Sequence, residues 1–93
     1  MIRNYGDKET EQIYNGKVSK KLPYEIQHIA RRKLRMIDAA IVITDLKIPP
    51  GNRLEQLKGD LKDYWSIRIN DKYRIVFTFK EGGAENVRIT DYH

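Results

Sequence analysis

The chain has 93 residues and no cysteine, and 18 Lys and Arg against 13 Asp and Glu give it a formal charge of +5. That length predicts one domain, residues 1–93, with one modest core, and the missing cysteines exclude disulfides and thiolate metal sites. The basic excess favours a polyanionic partner, nucleic acid or an acidic protein, and leaves the activity open.

Residues 1–8 hold no apolar segment of a secretory signal, and the longest apolar run, Ala39-Ala40-Ile41-Val42-Ile43, is far shorter than the roughly 20 residues that span a bilayer. A soluble protein with no membrane partner is expected, in the reducing cytoplasm. Ile2-Arg3-Asn4-Tyr5 predicts a short first strand ended by Gly6. Asp7 then suits the N-cap of a helix running to about Asn15, with Glu9 and Glu11 placed for the helix dipole and Gly16 at the left-handed C-cap. Ile13 and Tyr14 are its inward contacts.

After a basic connector, Lys17 to Lys21, Pro23 fits the first turn of a second helix. Ile26, Ile29, Ala30, Leu34, Ile37 and Ile41 recur near helical spacing and predict its buried stripe. Arg31, Arg32 and Arg35 take the opposite face with Lys33 flanking them, which on pattern alone is a solvated surface. Helix propensity fails by Thr44, and Pro49-Pro50-Gly51 forbids continuation.

From Leu54 the pattern becomes strands. A short one lies between Leu54 and Leu57. Tyr64 to Ile69, Tyr73 to Phe79 and Asn86 to Asp91 follow, separated by turns at Asn70-Asp71 and Glu81-Gly82-Gly83. Trp65, Ile67 and Ile69 alternate with Ser66 and Arg68, so the expected architecture is α+β: two helices on the apolar face of a twisted antiparallel meander, the other face open and basic. Trp65 belongs with the core, and His28 at the surface is given no role.

No glycine loop for phosphate and no carboxylate or histidine cluster with ligand spacing is present, so no cofactor and no metal is expected. The chain closes on Asp91-Tyr92-His93, an acid, a phenol and an imidazole on adjacent residues. Ordinary readings exist for each: a turn hydrogen bond for Asp91, packing for Tyr92, a frayed end for His93, and an exposed turn lysine for Lys58.

Asn52-Arg53-Leu54-Glu55-Gln56-Leu57-Lys58-Gly59-Asp60, then Tyr64-Trp65-Ser66-Ile67-Arg68, Tyr73-Arg74-Ile75-Val76-Phe77 and the Asp91-Tyr92-His93 end, in this order, resemble the HigB toxins of the RelE/ParE superfamily. The resemblance covers nearly the whole chain. It implies a small ribonuclease that enters the ribosomal A site and cuts messenger RNA during translation. It also implies a HigA-type helix-turn-helix antitoxin that neutralises the toxin, the complex binding operator DNA.

Residue by residue, the resemblance places function on Asp91, Tyr92 and His93, on the loop Lys58 and on the strand Arg74. Where HigB nucleases can carry a histidine, two residues before Leu57-Lys58-Gly59, this chain has Glu55. Cleavage through the 2′-hydroxyl, without metal, needs a base, an acid and positive charge at phosphorus. Asp91 or His93 serves as base with Glu55 as a second candidate, Lys58 and Arg74 supply charge, and Tyr92 stacks on a base or donates to phosphate. Arg53, Arg68, Lys72 and Arg88 are the further expected RNA contacts. Two rivals keep the fold: a gyrase inhibitor of the ParE type, and a non-catalytic RNA-binding module.

Overall fold

Local chemistry starts the first helix where the sequence predicts. In the computed structural model, which describes residues 1–91, the Asp7 carboxylate accepts the Thr10 amide at 2.8 Å and caps α1, Lys8–Tyr14. Gly16, at φ 85°, turns the chain out of it. Helix α2 spans Tyr24–Ala39 with Pro23 at its N-cap. The connector between them is fixed by a buried amide: Gln27 accepts the Ser19 N–H and donates to the Ser19 and Leu22 carbonyls.

Four strands, β1 Glu55–Gln56, β2 Tyr64–Arg68, β3 Tyr73–Lys80 and β4 Gly83–Asp91, form one antiparallel sheet in that order. The two helices cover its apolar face. Ile13, Ile26, Ala30, Leu34 and Ile37 meet Ile67, Ile75, Phe77, Val87 and Ile89 in a single buried cluster, and Trp65 packs against it. The β2 to β3 turn is closed by Asn70, whose side-chain oxygen accepts the Lys72 and Tyr73 amides. The β3 to β4 turn uses Glu81 and Gly82, both at positive φ, as the right-handed twist of a two-residue hairpin requires.

The N-terminal segment reduces to two isolated parallel bridges on β4, Ile2 to Ala84 and Tyr5 to Val87. Its neighbour explains this. The β3 to β4 register slips between Val76 and Thr78, leaving a bulge with Asn86 at φ 53°. The Asn4 side chain, rather than its backbone, takes the Asn86 amide at 2.6 Å. Arg3 adds hydrogen bonds to the Lys80 and Glu81 carbonyls.

Two expectations about α2 need correction. The helix ends at Ala39, short of Thr44, because the Asp45 carboxylate captures the Ile41 and Val42 amides and turns the chain into a tight helical turn at Ile43–Lys47. Ile41 therefore leaves the stripe and stands 75 % exposed, while Leu46 fills the core. Lys33, expected to flank the solvated face, is buried. It lies seven residues after Ile26, two helical turns on, and so falls on the apolar stripe.

Asp38, on the last turn of α2, accepts the Ile2 amide at 2.7 Å and the Tyr14 hydroxyl at 2.9 Å. These bonds, the Ile2 amide foremost, hold its carboxyl below the usual carboxylate range against the opposing effect of burial. Burial first, then the charges of Tyr14 and Asp38, push the neighbouring Tyr5 phenol up to about 12. A depressed carboxyl stabilises the fold above its unfolded pKa, about 3.9, and that contribution is lost as pH falls through the folded value. Asp38→Asn should therefore melt below the wild type at pH 7, with the gap closing below about pH 4. A gap in melting temperature that stays constant from pH 7 to pH 3 would remove the carboxylate from this role.

Candidate functional site

The sheet face turned away from the helices carries Glu55, Arg68, Arg74 and Arg88, but it is not the open surface that alternation suggests. Arg74 is only 9 % exposed and Ser66 is fully buried. The Arg74 guanidinium donates through Nε to Ser66 Oγ at 2.8 Å and through one terminal nitrogen to the Arg53 carbonyl at 2.7 Å. That carbonyl is within reach because Arg53 is left-handed, at φ 46°, after a tight turn at Pro50–Asn52. The segment before β1 thus folds against Arg74 and roofs this part of the face. Asn52 is buried with it and donates to the Leu46 carbonyl.

Register places the other residues. Glu55 pairs with Ser66, Ser66 with Val76 and Val76 with Arg88, so these four form one row across the face. Arg68, Arg74 and Thr90 form the next. Glu55 is exposed beside the Ser66 that Arg74 grips. Arg88 is exposed three strands away, about 14 Å at 4.8 Å per strand. Arg68 pairs its guanidinium with Asp71. Lys58 is exposed after β1, where it and Glu55, Gln56 and Leu57 line a shallow cleft of about 300 Å³.

Asp91 stands apart from this group. It pairs with Tyr73, so alternation assigns it to the opposite side of the sheet from Thr90 and Arg74, and Lys72 approaches its carboxylate at 3.8 Å. Leu57 lies opposite Tyr64, and Tyr73 opposite Ile69. The Lys58 end and the Asp91 end are therefore separated by five residues along the strands, about 16 Å. Tyr92 and His93 lie outside the described residues. The Arg74 side chain, the Arg53 backbone and Glu55 form an arginine pole on the outer face, with Lys58 beside Glu55; Asp91, one register position from Arg74, faces the other side of the sheet with Lys72 beside it.

The most informative feature is the cross-strand pair Arg68 and Arg74. Like charges directly opposite one another destabilise a sheet, yet two guanidinium groups occupy this position. Asp71 offsets one of them. Arginine presents a planar fork that matches phosphate oxygens, so an anionic ligand is the chemistry this pair can serve. Among the described residues no group of three or more His, Asp and Glu could hold a metal ion, and no helix is long and apolar enough to cross a membrane.

The sequence pattern gave Lys33 and Ser66 no part in the site. Lys33 donates its ammonium hydrogen to the Arg68 carbonyl, and Ser66 is the acceptor that fixes the Arg74 fork. The heptad spacing from Ile26 was the available signal for Lys33. For Ser66 the signal was a small hydroxyl between Trp65 and Ile67 on a strand whose neighbour carries an arginine.

Comparison with known proteins agrees with this architecture. A family model described as the RelE-like toxin of the type II toxin–antitoxin system HigB matches residues 3–93. The chain is 44 % identical over 87 residues to Toxin HigB-1 of Vibrio cholerae, covering 92 % of each chain. It is 31 % identical over 93 residues to Endoribonuclease HigB of Proteus vulgaris, covering all of both. Among solved structures it resembles the toxin–antitoxin complex YoeB-YefM of Staphylococcus aureus, with a TM-score of 0.63 at 19 % identity over 100 % of this chain and 98 % of that one. The YoeB dimer of the same organism gives 0.59 at 21 % identity, over 99 % and 94 %. At those identities the structures speak for the fold alone.

Proposed function

The chain belongs to the HigB family of RelE-like toxins of type II toxin–antitoxin systems, and we propose from this that it is an endoribonuclease that cuts messenger RNA in the ribosomal A site, in the cytoplasm. The Proteus vulgaris relative bears the name endoribonuclease. The observation that carries the reading onto this chain is the Arg68 and Arg74 pair, held in register on one face beside Glu55. A HigA-type helix-turn-helix antitoxin neutralises it, and the complex binds operator DNA.

Cleavage proceeds through the 2′-hydroxyl, without a metal ion. A base removes the 2′-proton, the 2′-oxygen attacks phosphorus, and the bond from phosphorus to the 5′-oxygen breaks as an acid protonates that oxygen. The products are a 2′,3′-cyclic phosphate and a 5′-hydroxyl. Asp91 or His93 acts as base, with Glu55 in reserve at the arginine pole, and each such group contributes on the order of 10² to 10⁴ in rate. With Glu55 as base, Arg74 and the adjacent Lys58 stabilise the charge that grows on the phosphorane; with Asp91 or His93 as base, about 16 Å from Lys58 along the strands, Arg74 serves and Lys58 holds a flanking phosphate. Tyr92 stacks on an unpaired base, and Arg53, Arg68, Lys72 and Arg88 hold the flanking phosphates.

Primer extension on messenger RNA after induction tests this directly. New 5′ ends inside codons are expected, and they should vanish when translation initiation is blocked. DNA breaks trapped on gyrase, with messages intact, would instead put the chain among inhibitors of that enzyme. RNA binding with neither product would leave a non-catalytic module.

A further inference from the structure

Lys33 is a buried ammonium on the helix layer, 6 % exposed, and it reaches the sheet at the strand that carries Arg68. The hydrogen-bonding pattern of β2 explains what it does there. Leu57 donates to the Tyr64 carbonyl, whereas Ile69 donates to the Tyr73 carbonyl. Even-numbered residues of β2 therefore direct their backbone groups toward β1, and odd-numbered ones toward β3. But β1 pairs no further than Glu55 with Ser66. Beyond it the chain turns at the left-handed Arg53, whose carbonyl goes to Arg74. The Arg68 carbonyl is thus left past the end of β1, and Lys33 supplies the donor at 2.5 Å.

We propose that Lys33 is a positioning residue of the nuclease site: its ammonium closes the sheet edge that β1 leaves open and holds Arg68 and Arg74 in register for RNA phosphate. The inference rests on the nuclease reading and adds to it a residue from the helix layer. Burial, and then the charges of Arg32 on its own helix, Arg68 on β2 and Arg74 on β3, depress the Lys33 amine below the ordinary lysine value. Asp71, on the adjoining turn, is engaged by the Arg68 guanidinium. A phosphate seated on the arginine pair offsets that repulsion and favours the protonated amine, so RNA binding and the charge on Lys33 are coupled.

The test uses the intact chain and a short single-stranded oligoribonucleotide with 2′-O-methyl groups, which binds without being cut. NMR of labelled lysine and arginine side chains reads the Lys33 Cε and the Arg68 and Arg74 guanidinium groups. Arginine signals should move on titration, and the Lys33 midpoint should rise in the complex. K33M should bind at least about fivefold more weakly, some 1 kcal/mol, with K33R recovering most of the loss. Should K33M fail to fold, the wild-type titration decides alone. Arginine signals that move while Lys33 stays unchanged, or a folded K33M with wild-type affinity, would overturn the Lys33 role and leave the nuclease reading standing. Unmoved Arg68 and Arg74 signals would overturn the arginine face and the Lys33 role with it.

Discussion

Arg74→Lys is expected to abolish growth arrest and also to lower stability by about 2 kcal/mol, because the residue is both the proposed phosphate ligand and a structural fork. Lysine keeps the charge and loses the geometry. The guanidinium holds Ser66 Oγ and the Arg53 carbonyl at once, and a hydrogen bond from a charged donor contributes about 1.5 to 3 kcal/mol when its partners are buried. Loss of a preorganised electrostatic group costs about 10² to 10³ in rate. Chemical denaturation gives the first quantity, and cleavage by purified toxin on translating ribosomes the second. A double-mutant cycle with Ser66→Ala isolates the pair: the two losses should fall well short of additive, since each variant breaks the same bond. Full additivity, or a denaturation midpoint unchanged in R74K, would show that the fork does not hold the Arg53 segment.

Asp91→Asn and His93→Ala should separate chemistry from folding in the opposite way. Each is expected to lower cleavage by about 10² to 10⁴, and loss of the Lys72 pair in Asp91→Asn to cost no more than about 0.5 kcal/mol of stability. For Asp91 the reason lies in its surroundings. The Lys72 contact is 3.8 Å long, and both side chains are about half exposed, so the pair is screened and worth little to the fold. Antitoxin binding should survive in both variants. Full toxicity in either one would take proton transfer away from this end of the chain and leave Glu55, at the arginine pole, as the residue to change next.

The contrast between these variants follows from what was and was not legible in the sequence. Asp7, Gly16, Pro23, Asn70 and Glu81-Gly82 mark element ends by chemistry confined to a few neighbouring atoms, and α1, the start of α2 and both hairpin turns fall where those residues point. The alternation in β2 sorted Ile67 into the core for the same reason. The end of α2 was not legible. Ala39 to Ile43 continues the apolar pattern, and only the Asp45 carboxylate, reaching back to two amides, decides the break.

For the candidate site, likeness to known toxins marked Lys58, Arg74 and Asp91-Tyr92-His93, and alternation placed Arg68, Arg74 and Arg88 on one face. Neither could show that a segment roofs Arg74, because that depends on a left-handed Arg53 and on strand β1 stopping after two residues. The sequence by itself determined the element types, the turns and the basic character of one sheet face, all of which rest on periodicity and local backbone chemistry. Tertiary structure alone decided that Lys33 meets the Arg68 carbonyl, that Arg74 is tied to Ser66 and to the Arg53 carbonyl, and that Asp91 and Lys58 stand at opposite ends of the sheet. Those outcomes depend on which strand ends first and which carbonyl is left for a side chain to satisfy, and pairing between distant segments settles both.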